Sequence, residues 1–425
     1  MSISSSLSAG VAGLAANSTR LATISDNIAN SSTYGYKKAT TEFESMVLNQ
    51  NRSSGTYSAG GVIAKTGRMI SENGPLVPTS NATDIAVNGR GFLPVTTSTS
   101  MANDNDDLLM TTTGSFETDK NGVLRTKSGL VLLGWPANAD GKIEESTQIR
   151  DSVGGLQPVV INANQTAADP TTAITLGVTL PAEDPKPGGY TTTVEYYDNL
   201  GARQNLTINY VPSATTPNAW QMTITDPSGT TATCNLTFDS TRGSGGNLAS
   251  ASGGGYDAGT GNLTFNLGGD AQSPLTINIG KPGSQTPMRQ LSSNYDPKGI
   301  AKNGSPVGNL SGLAIDENGY LQATYDTGFV KTLYQIPLVD MANPNGLTSL
   351  DSQTFKISAK SGSFYLWNAG DGPTGTVQGN AREGSTVDVA EELTNLIQTQ
   401  RAYSSNAKVI QTVDEMLQET TNIKR

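Results

Sequence analysis

The chain has 425 residues, enough for several domains, with a formal net charge of -10 and an isoelectric point near 4.7. It holds no histidine and one cysteine, Cys234, which excludes histidine-based triads, histidine general bases and metal ligands, internal disulfides and cysteine-rich zinc sites. No Lys/Arg cluster marks a nucleic-acid binder, and no apolar run reaches the ~18 residues that a spanning helix needs.

The first element expected is a helix from about Ser5 to about Asn30. Leu7, Leu14, Leu21 and Ile28 are seven apart, and Ile3 and Ile24 fall on the interleaved position, with Gly10 and Asn17 between them. The stripe leans on Ala and Gly, so another backbone can approach closely. "MSISSSLSAGVAGLAANS" lacks the basic and compact apolar regions of a Sec signal peptide, although a Gly-, Thr-, Ser- and Asn-rich chain with 15% charged residues has the composition of an extracellular β protein. Residues 37–72 read as a loosely structured, extended linker.

Short alternating runs follow. "ATDIAVNGRGF" places Ile85 and Val87 ahead of an Asn88-Gly89 turn, and "TTTGSFETDKNGVLRTKSGLVLLGWP" reads as hairpins around Asn121-Gly122. From about residue 166 the alternation continues through Leu206, Ile208 and Tyr210, then Trp220, Met222 and Ile224, then Cys234, Leu236 and Phe238, each strand with one buried face. "STRGSGGNLASASGGGYDAGTG" reads as a flexible surface loop by composition. From about 289 the pattern of residues 73–165 returns, with an Asn318-Gly319 turn.

The chain closes on a second helix, about 388–420. Val389, Leu396, Tyr403, Ile410 and Leu417 are seven apart, with Leu393, Gln400, Ala407 and Asp414 interleaved. Ser385 or Asp388 can cap its start, and Glu391 and Glu392 lie where the helix dipole favours negative charge. The expected fold is therefore multi-domain and mainly β with terminal α-helices. Residues 1–36 and 385–425 pair as a coiled-coil-like inner domain, 37–72 link, 73–165 with 289–384 form a discontinuous β domain, and 166–288 form an inserted outer β domain. The seam is interrupted at Gly10, Asn17, Gln400 and Asp414, so the helices are expected to be largely disordered in the free monomer and to fold on assembly.

Chemistry finds little footing. Asp104, Asn105, Asp106 and Asp107 lack the Gly and closing Glu of a calcium loop. The Gly-rich stretch near 243–261 opens no helix and carries no Lys-Ser/Thr, so it is no phosphate cradle. Cys234 alternates with core residues and reads as one of them. The chain is expected to be neither an enzyme nor a cofactor binder.

"ISDNIANSSTYGYKK" resembles the N-terminal signature of the bacterial flagellar rod and hook axial proteins, a helix ending in Asn-(Ile/Leu)-Ala-Asn, then Thr, then Gly-Tyr/Phe-Lys/Arg. Asn27, Ile28, Ala29, Asn30, Thr33, Gly35, Tyr36 and Lys37 carry the match. "TDIAVNGRGF" is similar to the family's first β motif through Asp84, Ile85, Ala86, Gly89, Gly91 and Phe92, and the last helix resembles the family's C-terminal helix. Hook members add a long inserted β domain to the shorter rod pattern. The resemblance implies export through the flagellar type III apparatus without a Sec signal. It implies self-assembly into a curved, flexible extracellular tube, a universal joint passing motor torque to the filament. The implied partners are other copies of the chain, the flagellar rod, the hook cap and the hook–filament junction proteins, with no nucleic acid and no membrane insertion. A distal rod or related axial protein, and a secreted β-rich adhesin, remain alternatives.

Overall fold

The computed structural model describes residues 3–46, 60–98, 108–138, 141–161, 166–183, 185–270 and 273–423. The chain is mainly β, with one long helix at each end, α1 (Ile3–Ala29) and α2 (Val389–Ile423). It divides into two compact units, one of residues 1–163, 312–323 and 331–425, the other of 164–311 and 324–330.

The first unit holds both helices and a β body. Two distant stretches of chain build that body together. Asp84–Asn88 pairs on one side with Thr376–Gly379, so that Val87 faces Val377, and on the other with Thr113–Thr118. Leu93–Thr96 pairs with Leu109–Thr111 and Val131–Pro136. Phe92, Met110, Leu133, Trp135, Val339, Phe355 and Leu366 fill the core. The Asn88–Phe92 corner needs its glycines. Gly89 and Gly91 have φ of 105° and 126°, and a Cβ on Gly91 would stand 3.2 Å from Leu338 Cβ. The corner delivers Phe92 to the core, where it packs edge-on against Phe355 at 5.8 Å.

The described parts of the expected linker, 37–46 and 60–72, are not loose. Ala39–Ser45 and Val62–Arg68 form an antiparallel hairpin in register from Ala39↔Arg68 to Ser45↔Val62. Its strands lie on α1: Thr23 and Thr41 hydroxyls are 2.9 Å apart, and a Cβ on Gly61 would stand 3.1 Å from Ala12 Cβ. "ATTEFES" and "VIAKTGR" carry few large apolar residues, and small residues on α1 allow the backbones to close together.

The second unit is a β-sandwich. One sheet runs Tyr190–Tyr197, Arg203–Pro212, Ala219–Thr225, Thr231–Phe238, Leu248–Gly253. The facing sheet is built around Ala173–Pro181, which pairs with Pro274–Asn278, Arg289–Leu291 and Asp296–Lys302. Inward residues of both sheets, among them Leu176, Val178, Ile208, Trp220, Met222, Leu236, Phe265 and Ile277, make one core. Because Asp296–Lys302 pairs with Ala173–Pro181, this unit extends past the expected edge at 288. Part of the expected flexible Gly-rich loop is the edge strand Leu248–Gly253, held by backbone pairing to Thr231–Phe238. Cys234 is fully buried in the core, and burial pushes its thiol up to about 11, so it is no nucleophile.

Many turns close on an aspartate whose side chain accepts two backbone N–H groups. Asp119 Oδ1 takes those of Asn121 and Val123 at 2.8 and 2.9 Å. The Val123 N–H chiefly holds the Asp119 carboxyl below its usual 3.8, the Ser244 hydroxyl does so for Asp239, and the Thr260 hydroxyl for Asp257. A carboxyl whose pKa is lower in the folded chain contributes stability above the unfolded value and loses it as pH falls through the folded one. With no histidine to titrate, the melting temperature is expected to stay level from about pH 5 to about pH 9 and to drop below about pH 4. Thermal melts across pH check this, and a fall between pH 8 and 6 contradicts it.

Candidate assembly interface

Both terminal helices pack on each other, with their closest approach through small residues of α1. A Cβ on Gly10 would stand 3.1 Å from Ile410 Cγ1, and one on Gly13 would stand 2.8 Å from Asn406 Nδ2. The buried positions of α1 are Gly10, Gly13, Ala16, Asn17, Ile24 and Asn27. Those of α2 are Glu392, Thr399 and Val413, with Asn406 and Ile410 half-buried. Glu392, Thr399, Asn406 and Val413 are seven apart, so the contact does follow a heptad, but a largely polar one.

The large apolar stripe expected on α2 lies beside that seam, three residues before or four after each seam position and therefore about 50° around the helix. Val389 is 40% exposed, Leu393 47%, Ile397 50%, Tyr403 44% and Leu417 39%, while Leu396 and Ile410 are half-buried. On α1, Leu7, Leu14, Leu21 and Ile28 are half-buried and Val11 is exposed. The helix pair thus meets mainly through small and polar side chains, with Ile410 and Val413 among them, and leaves much of the apolar surface of α2 outward. On α1 the buried Gly10, Asn17 and Ile24 are the interleaved position of the sequence pattern, whereas on α2 hydrophobic periodicity found the stripe and missed the seam, because a polar heptad carries no hydrophobic signal.

The motif residues gather where α1 ends. Asn27, 1% exposed, bonds both ways with the Ala39 backbone, Nδ2 donating to its carbonyl and Oδ1 accepting its N–H, each at 2.8 Å. Asn30 Nδ2 donates to the Asp26 carbonyl, and Thr33 donates its N–H to the Asn30 carbonyl. Gly35 turns the chain with φ of 72° and donates its N–H to the Glu383 carbonyl at 2.8 Å. Tyr36 Oη donates to Asp26 Oδ2 at 2.9 Å beneath the Arg68 guanidinium, and burial first, then the Asp26 bond, pushes its hydroxyl up to about 12. Lys37 Nζ bonds Glu383 Oε1 at 2.8 Å, both side chains 1% exposed. Ala29 is exposed. In the β motif, Asp84 accepts from Asn81 and Ser115 and holds its strand's start.

The beginning of α2 is tied to the same place. Asp388 Oδ1 caps the helix, accepting the N–H groups of Ala390 and Glu391 at 2.8 and 3.2 Å. Lys38 Nζ reaches Glu391 and Glu392, each at 3.0 Å. Burial works against the Lys38 ammonium, and the hydrogen bonds to Glu392 and Glu391 outweigh it, so its pKa lies above 10.5. Sequence reasoning missed Glu383 and placed Glu392 only in the first turn of α2, without its burial or its pairing to Lys38; a buried carboxylate looks like any surface one until its partner is placed. Among the described residues no group of three or more His, Cys, Asp or Glu side chains could hold a metal, and no helix is long and apolar enough to cross a membrane. Residues 104–107 lie outside the described residues.

Comparison with known proteins bears on both ends and on the whole length. Residues 7–37 match the family described as flagella basal body rod protein, and residues 377–423 match the C-terminal family of flagellar basal body rod FlgEFG proteins. The chain is 34% identical to the flagellar hook protein FlgE of Brucella suis biovar 1 and 31% identical to that of Rhizobium meliloti, each over all of both chains. Among solved structures it is similar to the Helicobacter pylori flagellar hook protein FlgE2, with a TM-score of 0.48 and 15% identity over 72% of this chain and 99% of that one. With a third of its residues shared, end to end, with a hook protein, the chain belongs to the flagellar hook protein family.

Proposed function

We propose that this chain is the structural subunit of a bacterial flagellar hook, polymerising into a curved, flexible tube that passes motor torque to the filament. The observation that carries the reading is the outward apolar stripe of α2, at a chain end that also matches the axial-protein family. A stripe of Leu, Ile, Val and Tyr left facing water is not stable as a permanent surface, and other copies of the chain are the partner that covers it. Contacts between unlike faces repeat without closing and build a helical tube. The chain passes unfolded through the flagellar type III export apparatus, assembles outside the cell beneath a hook cap onto the rod, and receives the junction proteins at its far end. The β units supply the outer layers, and their Thr-, Ser- and Asn-rich surfaces suit wet contacts that slip as the tube bends.

Removing the gene and imaging basal bodies by negative stain tests this. Rods without hooks, restored to hooked bodies by the gene in trans, are expected. Normal hooks in its absence overturn the reading.

A further inference from the structure

The buried ion pair at the root of the helices is built in an unexpected way. Lys37 Nζ donates to Glu383 Oε1 and to the Glu72 carbonyl, and Glu383 Oε1 also accepts the Gly74 N–H at 2.7 Å. Glu383 Oε2 is buried with no hydrogen-bond partner among the described residues. A buried charge pair recovers its desolvation cost only when its remaining lone pairs are satisfied, and here one carboxylate oxygen is not. An apolar pair of similar volume would hold the same space without that cost. The pair is therefore a poor source of net stability.

Its position gives it another use. Glu383 lies on Ala381–Glu383, which pairs with Leu76–Pro78, and its N–H donates to Thr113 Oγ1 in the β body. One residue before Lys37, Tyr36 accepts the Thr386 N–H at 3.1 Å; one residue after, the Lys38 N–H donates to Thr386 Oγ1 at 2.8 Å. The chain leaving α1 and the chain entering α2 are thus bound to each other and to the β body within a few residues of one ion pair. Charge and hydrogen-bond direction allow one arrangement there, whereas apolar side chains tolerate several.

We infer that Lys37–Glu383 is a geometric lock: it fixes the angle at which both terminal helices leave the β body, and so the shape of the assembled tube. The second half of this inference rests on the hook reading.

Three variants test it: Lys37→Met, Glu383→Leu and the double variant. Each single change strands one buried charge. The single variants should melt about 5–10 °C lower than the parent chain and lose their ends to protease at least about tenfold faster. The double variant should melt within about 3 °C of the parent. In cells lacking the native gene, its hooks should form with altered curvature or pitch. Lys37→Met with Glu383→Gln, which keeps an acceptor for the Gly74 N–H, should behave the same way and serves if the first double variant fails to fold. A double variant that melts as low as the singles overturns the lock, because the pair then supplies stability. Double-variant hooks of parental shape overturn it as well. Failure of the hook reading would appear elsewhere, as normal hooks when the gene is absent, and would leave the melting and protease results standing.

Discussion

A negative charge at Leu393 or Tyr403 should abolish polymerisation and leave the monomer folded. Both side chains are nearly half exposed on α2, so Leu393→Asp or Tyr403→Asp removes little from the isolated chain. Against a neighbouring copy the account changes. Burying a large apolar side chain contributes about 1.5–3 kcal/mol, and an unpaired carboxylate carried into the contact loses that and adds a desolvation cost. A loss of about 3 kcal/mol per subunit raises the concentration needed for assembly about 100-fold. Sedimentation of polymer against total protein reads the shift, with circular dichroism of the monomer as the control for folding. Leu393→Met should polymerise normally. Parental assembly by both Asp variants would show that the stripe faces solvent in the tube. The same geometry bears on the free monomer. Its helices meet through Gly10, Gly13, Thr399 and Asn406, so their mutual burial scarcely offsets backbone ordering of roughly 1–2 kcal/mol per residue. Protease should clip both helices of the free chain outside residues 37–383, up to the buried Lys37–Glu383 pair, and spare them in the polymer.

The broad organisation of this chain was legible because it rests on strong periodic signals. Large apolar residues seven apart at both ends announced paired helices, and α1 and α2 do pack together. Asn-Gly at 121–122 and 88–89 sits between alternating runs, and both dipeptides turn the chain between strands. What escaped was whatever depends on small or polar residues. Two heptads run along α2, offset by three residues one way and four the other. The apolar one is conspicuous, while the packed one reads Glu392, Thr399, Asn406, Val413 and looks like a solvated face. The hairpin of Ala39–Ser45 and Val62–Arg68 needs α1 as its second layer, which no local window contains. Asp296–Lys302, "DPKGIAK", has hardly a strand's composition, and only its partner Ala173–Pro181, far earlier in the chain, makes it one. The motif around Asn27 and Lys37 was visible as a pattern of letters. Its physical content, one buried amide and one buried ion pair tying residues 27–38 to 72–76 and 381–392, appears only when the two ends meet.

Excising the β-sandwich should leave an exported, folded chain that still forms tubes, but straight ones or ones of abnormal curvature. The structure shows where to cut. Thr172 and Asn303 are neighbours: Asn303 Oδ1 accepts the N–H groups of Thr172 and Ala173 at 3.0 and 2.8 Å, its Nδ2 donates to Thr172 Oγ1 at 2.8 Å, and Thr171 Oγ1 donates to its carbonyl at 3.0 Å. Below that point Thr166–Asp169 pairs antiparallel with Ser305–Ile315. Removing 173–302 and closing the gap with Asn-Gly converts this stalk into an ordinary two-residue hairpin. Every buried residue of the sandwich core, from Ile174 to Met288, leaves with the segment. Removing 166–288 instead would strand Asp296–Lys302 without Ala173–Pro181 and expose Ile300, so that an aggregated product would say nothing about the tube. With the cut at 172/303, the remaining β body should melt within about 4 °C of the parent, as a change of under about 1 kcal/mol implies. Electron microscopy then decides. Straight or misshapen tubes with impaired swimming place the sandwich in control of curvature. Parental hooks deny it that role, and a truncated chain that is exported and soluble yet never polymerises makes the sandwich part of the assembly contact itself.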